Sequence, residues 1–103
     1  MTRRALLAWL DARRPAPPPA LRAHLEAAAT ESEKPLSEHL ADLGGALVSR
    51  VARHSHGGRE LALDLLAADA FVTYAFEAQA EADVTQLAAL ADRVTAGRRR
   101  YTM

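Results

Sequence analysis

The sequence contains no cysteine, no isoleucine and only one lysine among its 103 residues. The absence of cysteine excludes disulfide bonds, thiolate nucleophiles and cysteine-based metal sites. Residues that favour strands are scarce, because valine occurs only five times and isoleucine is missing. Alanine and leucine, the strongest helix formers, supply most of the hydrophobic 50%. The composition therefore predicts an all-α fold.

Long hydrophobic runs are missing as well. No apolar stretch approaches the ~20 residues of a membrane-spanning helix, and the opening residues MTRRALLAWLDARR lack the small-residue cleavage site of a signal peptide. A length of 103 residues suits one domain with a single core. We expect a cytoplasmic protein with one helical domain over residues 1–103, no membrane contact and no cofactor.

The charges sum to zero but are unevenly distributed along the chain. Residues 60–92 contain seven acids and no lysine or arginine, which leaves 13 bases against six acids in the remainder. Segregated charges of opposite sign attract one another. The pattern predicts that the basic flanking segments, or a second copy of the chain, lie against the acidic segment. The alternative is an acidic face that contacts only solvent.

Prolines divide the first part of the chain into two helices and a connector. Residues 2–14 are typical of a short amphipathic helix, which ends where proline forbids its continuation. Residues 15–19 contain four prolines and predict a stiff, extended connector. A second helix can begin at Pro18 or Pro19, because proline is tolerated in a first turn.

A third helix is predicted from Pro35 to about His54, with Ser32 as its cap. Its inner seam has leucine or valine at every third or fourth position, at Leu36, Leu40, Leu43, Leu47 and Val51. Gly44 and Gly45 lie inside this helix, although each glycine costs about 1 kcal/mol relative to alanine. We expect another backbone to approach closely along the small-residue stripe of Ala41, Gly45 and Ser49. A kink at the glycines is the alternative.

The longest predicted helix spans residues 59–82 and contains no proline, glycine or lysine. One apolar flank comprises Leu61, Leu65, Ala68, Val72, Ala75 or Phe76, and Gln79, and a second comprises Leu63, Leu66, Phe71, Tyr74 and Ala78. A single polar stripe remains, at Asp69, Thr73, Glu77 and Glu81. A separate last helix can begin near Asp83, but one uninterrupted helix from 59 to 96 is an alternative. In either case Gly97 is expected to end the helix, followed by a basic tail at 98–103.

The two apolar flanks of the long helix predict a partner. A bundle of four or five short helices has little surface with which to cover both flanks, so we expect a homodimer, with another protein chain as a further partner. Large aromatic rings concentrate binding energy at interfaces. The predicted interface therefore comprises Phe71, Tyr74 and Phe76 together with Gly44 and Gly45. Ordinary burial in the core is the alternative for the three rings.

A metal site is a further hypothesis. His54, His56 and Glu60 can offer nitrogen and oxygen ligands to zinc, although histidines at a helix end also interact favourably with the helix dipole without any metal. The row Asp69, Glu77 and Glu81 can bind a cation if two copies face each other. Solvated or arginine-paired carboxylates are the alternative there.

Nucleic-acid binding is the remaining alternative. Arg98, Arg99, Arg100 and Tyr101 combine phosphate-binding charge with a ring on which a base can stack. The zero net charge argues against this function. Nucleophilic catalysis has no cysteine and no evident serine–base pair to support it. The sequence therefore favours a non-enzymatic helical interaction or regulatory protein.

Overall fold

The computed structural model describes residues 1–53 and 58–102, with only the backbone described for 97–102. Helices make up most of this part of the chain, and no strand occurs in it. In order, the elements are α1 (Arg3–Asp11), α2 (Pro19–Ala28), α3 (Leu36–Ala52), α4 (Arg59–Ala82), a 3-10 turn (Val84–Gln86) and α5 (Leu87–Thr102). The predicted all-α bundle with a long central helix is confirmed. None of the helices in the described ranges is long and apolar enough to cross a membrane.

Local sequence signals explain how the first three helices begin. The Thr2 hydroxyl accepts a hydrogen bond from the Ala5 amide at 3.1 Å and so caps α1. Pro19 occupies the first turn of α2, as predicted. The prediction that Ser32 caps α3 is wrong, because the helix begins only at Leu36. The Ser32 hydroxyl instead accepts a hydrogen bond from the Lys34 amide at 3.1 Å and stabilises the turn that precedes α3.

The boundary between the last two helices lies at Asp83. This residue adopts an extended conformation, and its carboxylate accepts hydrogen bonds from the Thr85 amide at 3.0 Å and the Thr85 hydroxyl at 2.6 Å. An Asp that binds its own following backbone in this way competes with helix continuation. The alternative of one helix from 59 to 96 is therefore wrong. The expected stop at Gly97 is also wrong, since α5 continues through it to Thr102.

The core is centred on the packing of α3 against α4. The α3 residues in the core are Leu40, Leu43 and Leu47, which belong to the predicted leucine seam. The apolar residues on the buried face of α4 are Ala67, Ala68, Phe71, Ala75 and Ala78. Leu65 and Leu66 are instead 50% and 54% exposed, so the inward position predicted for Leu65 is wrong. A face built of alanines lets α3 approach more closely than a face built of leucines would.

At Gly44, α3 and α4 approach each other too closely to leave room for a side chain. A Cβ atom at this residue would lie 2.9 Å from Val72 Cγ2 and 3.1 Å from the Ala68 carbonyl oxygen. A Cβ at Gly45 would meet nothing within 4 Å. The predicted close approach therefore exists within the chain, but at Gly44 rather than along the stripe that contains Gly45. The helix also runs through both glycines from Leu36 to Ala52, so the glycines do not interrupt it.

The two adjacent glycines provide a matched pair of substitutions. Gly44→Ala should destabilise the protein by about 1–3 kcal/mol, because its methyl group has to displace the stiff Val72 side chain or the backbone of α4. Gly45→Ala should stabilise the monomeric chain by about 0.5–1 kcal/mol, because the methyl group meets nothing within the same chain and restricts the unfolded state. Urea denaturation of both variants measures the difference. Equal stabilities would contradict the close approach at Gly44.

Candidate functional site

A groove with a volume of about 530 Å³ lies between α3, α4 and α5. Small or apolar side chains form most of its surface, chiefly Ala41, Gly45, Val48, Leu65, Val72 and Val94. Its depth follows from the sequence of α3, because Gly45 contributes no side chain and Ala41 contributes only a methyl group. Leu65 of α4 lies beside the groove, and half of its surface is exposed. The groove is therefore an open surface that is apolar beside the exposed leucine and that also includes the charged side chains of Lys34, Asp42, Asp69 and Arg93.

Ion pairs close one end of this groove. Asp42 accepts a hydrogen bond from Lys34 at 2.7 Å and another from Arg93 at 3.3 Å, and Arg93 also lies 3.4 Å from Glu38. Burial would raise the pKa of Asp42, but the hydrogen bonds from Lys34 and Arg93 outweigh burial and lower it. These side chains are partly exposed, so the pairs orient α5 against α3 more than they stabilise the fold. Both signs of charge thus border the apolar surface.

The predicted aromatic interface is distributed between the core and the surface. Phe71 is completely buried, which leaves it no surface for a partner. Tyr74 is half-buried and meets the Trp9 ring edge-on, with 6.0 Å between ring centroids. Phe76 is half-buried and packs against the core. Of the two glycines, Gly44 is buried beneath α4, whereas Gly45 faces the open part of the groove.

A second surface cluster attaches α1 to α4, and we refer to Trp9, Arg13, Glu77 and Glu81 as the α1 clamp. The Trp9 indole donates to Glu81 Oε1 at 3.1 Å, and the Arg13 guanidinium donates to Glu81 Oε2 at 2.8 Å. Arg13 also stacks 3.9 Å above the Trp9 ring and lies 3.7 Å from Glu77. The hydrogen bonds from Arg13 and then Trp9 lower the pKa of Glu81. Part of the acidic stripe is therefore paired with the basic N-terminal segment of the same chain.

A third polar cluster lies inside the bundle around Asp64, which is only 6% exposed. Its Oδ1 atom lies 2.6 Å from His24 Nε2 and accepts a hydrogen bond from Arg50 at 2.9 Å. The cluster joins α2, α3 and α4. Sequence reasoning missed it because the register of α4 was ambiguous. Once Ala67, Ala68 and Phe71 are known to face inward, helical spacing places Asp64 on the same face.

The remaining predicted site residues divide between described and undescribed parts of the chain. His54 and His56 lie outside the described residues, and Glu60 is exposed in the first turn of α4. Among the residues that the structure describes, no three histidine, aspartate or glutamate side chains converge as metal ligands do. Arg98, Arg99, Arg100 and Tyr101 belong to the last turns of α5, where the description covers the backbone alone.

The Asp64 cluster predicts a specific dependence of stability on pH. Burial would raise the pKa of Asp64, but hydrogen bonds from His24 and Arg50 outweigh it and lower the pKa. The carboxylate therefore stabilises the fold above its unfolded pKa of about 3.9, and this contribution is lost as pH falls through the lowered folded value. Asp64→Asn should cost about 1–3 kcal/mol at neutral pH and reduce the loss of stability in acid.

The exposed Asp92 on α5, which does not line the groove, provides the control for this substitution. Asp92→Asn should change the free energy of unfolding by less than about 0.5 kcal/mol at neutral pH. Thermal unfolding of both variants between about pH 2 and pH 7 measures the two effects, because the Asp64 contribution is lost below its unfolded pKa of about 3.9. Identical pH profiles for the Asp64 variant and the unmodified protein would contradict a stabilising role for the carboxylate.

Comparison with known proteins provides no family assignment. The chain matches no protein-family model, no curated protein and no solved structure. Its functional interpretation therefore depends on the geometry of the groove, the α1 clamp and the Asp64 cluster.

Proposed function

We propose that the protein is a non-enzymatic helical interaction module of the cytoplasm, which forms a homodimer through the groove between α3, α4 and α5. One observation carries the proposal: the side chain of Leu65 is half-exposed, and it lies beside the open space above Gly45. An exposed leucine beside an apolar depression is the arrangement that a partner side chain or helix covers at an interface.

The difference between the two glycines supports this proposal. Glycine inside a helix costs about 1 kcal/mol relative to alanine. Contacts within the chain account for Gly44, because a Cβ there would collide with Val72 and approach the Ala68 carbonyl. At Gly45, by contrast, a Cβ would meet no atom of the same chain within 4 Å, so contacts within the chain do not explain the glycine. The close approach of a second chain over α3 would account for it.

The energetics of leucine burial favour the same surface. Complete burial of a leucine side chain contributes about 1.5–3 kcal/mol relative to leaving it exposed. In a twofold dimer the same patch is used by both copies, so each favourable contact occurs twice. A formal net charge of zero means that overall charge does not oppose the encounter of two copies. Leu65 and Gly45 are therefore the residues with which to test dimerisation.

Neighbouring leucines on α4 allow a matched test. Leu65 lines the groove, whereas Leu66 is similarly exposed, at 54%, but does not line it. We expect Leu65→Glu to weaken dimerisation by at least about tenfold, because an unpaired carboxylate would be buried at the interface. Leu66→Glu should leave the association unchanged. Multi-angle light scattering and sedimentation equilibrium over a range of micromolar concentrations measure both.

A substitution at Gly45 separates folding from association. Gly45→Leu places a large side chain in the groove without a clash near its Cβ, so the monomer should fold normally while the dimer weakens. Helical circular dichroism and the urea midpoint check the fold in the same samples. An unmodified protein that remains monomeric throughout the micromolar range would overturn the homodimer, and equal effects of Leu65→Glu and Leu66→Glu would overturn the groove as its interface.

A further inference from the structure

Side chains at both ends of α1 anchor this helix across α2 and α4. At its start, Arg3 donates to the Ala29 carbonyl at 3.0 Å and to the Glu26 carbonyl at 2.7 Å, which satisfies acceptors at the end of α2. Beyond its last turn, Arg13 joins Trp9 in the α1 clamp. Between these anchors Leu6 and Leu10 are 0% and 2% exposed. The turn at Ser32 adds backbone hydrogen bonds with Met1, so α2, α4 and this turn together form the receptor for the short amphipathic helix.

The helix that occupies this receptor depends on it for its own structure. Nine residues are too few for a stable isolated helix in water, where about 12–15 are marginal. Residues 12–18 connect α1 to α2 and include three prolines. Fully extended in a polyproline conformation, seven residues span roughly 20 Å. This reach approaches the 24 Å shortest dimension of the bundle.

We propose that α1 is exchanged between copies of this chain, so that α1 of one copy occupies the α2–α4 receptor of a second copy and the reverse. The contacts made by Arg3, Leu6, Leu10 and Arg13 are the same whether the receptor belongs to their own chain or to another. The balance between the closed monomer and the exchanged dimer then depends on the connector and on protein concentration. The stiff proline-rich connector favours exchange because it resists a tight reversal of the chain.

This exchange is separate from association through the groove. At 100° per residue, Leu65 and Val72, which line the groove, lie on the flank of α4 opposite to Glu77 and Glu81 of the α1 clamp. Groove variants at Leu65 and Gly45 therefore leave the receptor for α1 intact. The two proposals can fail independently of each other.

Reversed charges in the α1 clamp provide a test with full-length chains. One variant carries Arg13→Glu, and the other carries Glu77→Lys together with Glu81→Lys. Each variant alone opposes like charges at its own clamp. In an exchanged heterodimer Glu at position 13 of the first variant meets the lysines of the second, while Arg13 of the second meets Glu77 and Glu81 of the first. Both clamps of the mixed dimer are then attractive.

Native mass spectrometry of the equimolar mixture distinguishes the outcomes, because the two variants differ in mass. Exchange predicts heterodimers about fivefold above the statistical proportion relative to the two homodimers, because both clamps change from repulsive to attractive contacts. Statistical proportions would overturn exchange while leaving the groove dimer standing. Dimers absent from both the mixture and the unmodified protein would overturn both proposals.

The triple variant Arg13→Glu, Glu77→Lys, Glu81→Lys controls for misfolding. It restores opposite charges within one chain, so its circular dichroism and melting temperature should return towards those of the unmodified protein. In a mixture of the triple variant with either of the other two variants, an exchanged heterodimer has one attractive clamp and one repulsive clamp. These mixtures should therefore give no excess of heterodimer. An excess in these mixtures as well would overturn the assignment of the effect to α1.

Discussion

The contact between the α3 and α4 backbones at Gly44 is the constraint on which the remaining packing depends. Because Gly44 lacks a Cβ and Ala67, Ala68 and Ala75 carry only methyl groups, the two helices approach until Gly44 meets the Ala68 carbonyl. This approach requires small residues on the inner face of α4. The larger side chains of Leu65 and Leu66 are displaced to its outer flanks and remain half-exposed. The same constraint therefore builds the core and leaves the apolar surface beside it.

Sequence patterns predicted α3 more accurately than α4. In α3 the large side chains of Leu40, Leu43 and Leu47 lie on a single seam, so periodicity alone identifies the buried face. In α4, alanines and leucines occur around most of the circumference, and hydrophobicity alone cannot choose between faces. Packing against α3 selects the alanine face because it permits closer contact. The helix end at Asp83 likewise depends on a local hydrogen bond to Thr85 that outweighs helical continuation.

The surfaces that carry the proposals could be predicted only in part. Charge segregation along the chain indicated that basic segments lie against the acidic helix, and the contacts of Arg13 with Glu77 and Glu81 agree with that pattern. The pairing of particular residues depends on how α1 folds back, which composition does not encode. Likewise, Gly44 and Gly45 are chemically identical in the sequence. Only their positions relative to α4 distinguish a packing glycine from one that borders open space.

The location of the single tryptophan has an optical consequence. Trp9 lies beneath the Arg13 guanidinium, which belongs to its own segment, and beside the Glu81 carboxylate, which leaves the indole when α1 separates from α4. Because no other tryptophan contributes to the emission spectrum, the wavelength and quenching of its fluorescence report the attachment of this one helix. The chain thus contains an intrinsic fluorescent probe at the contact between α1 and α4. This contact has to open before a closed monomer can convert to a dimer that exchanges α1.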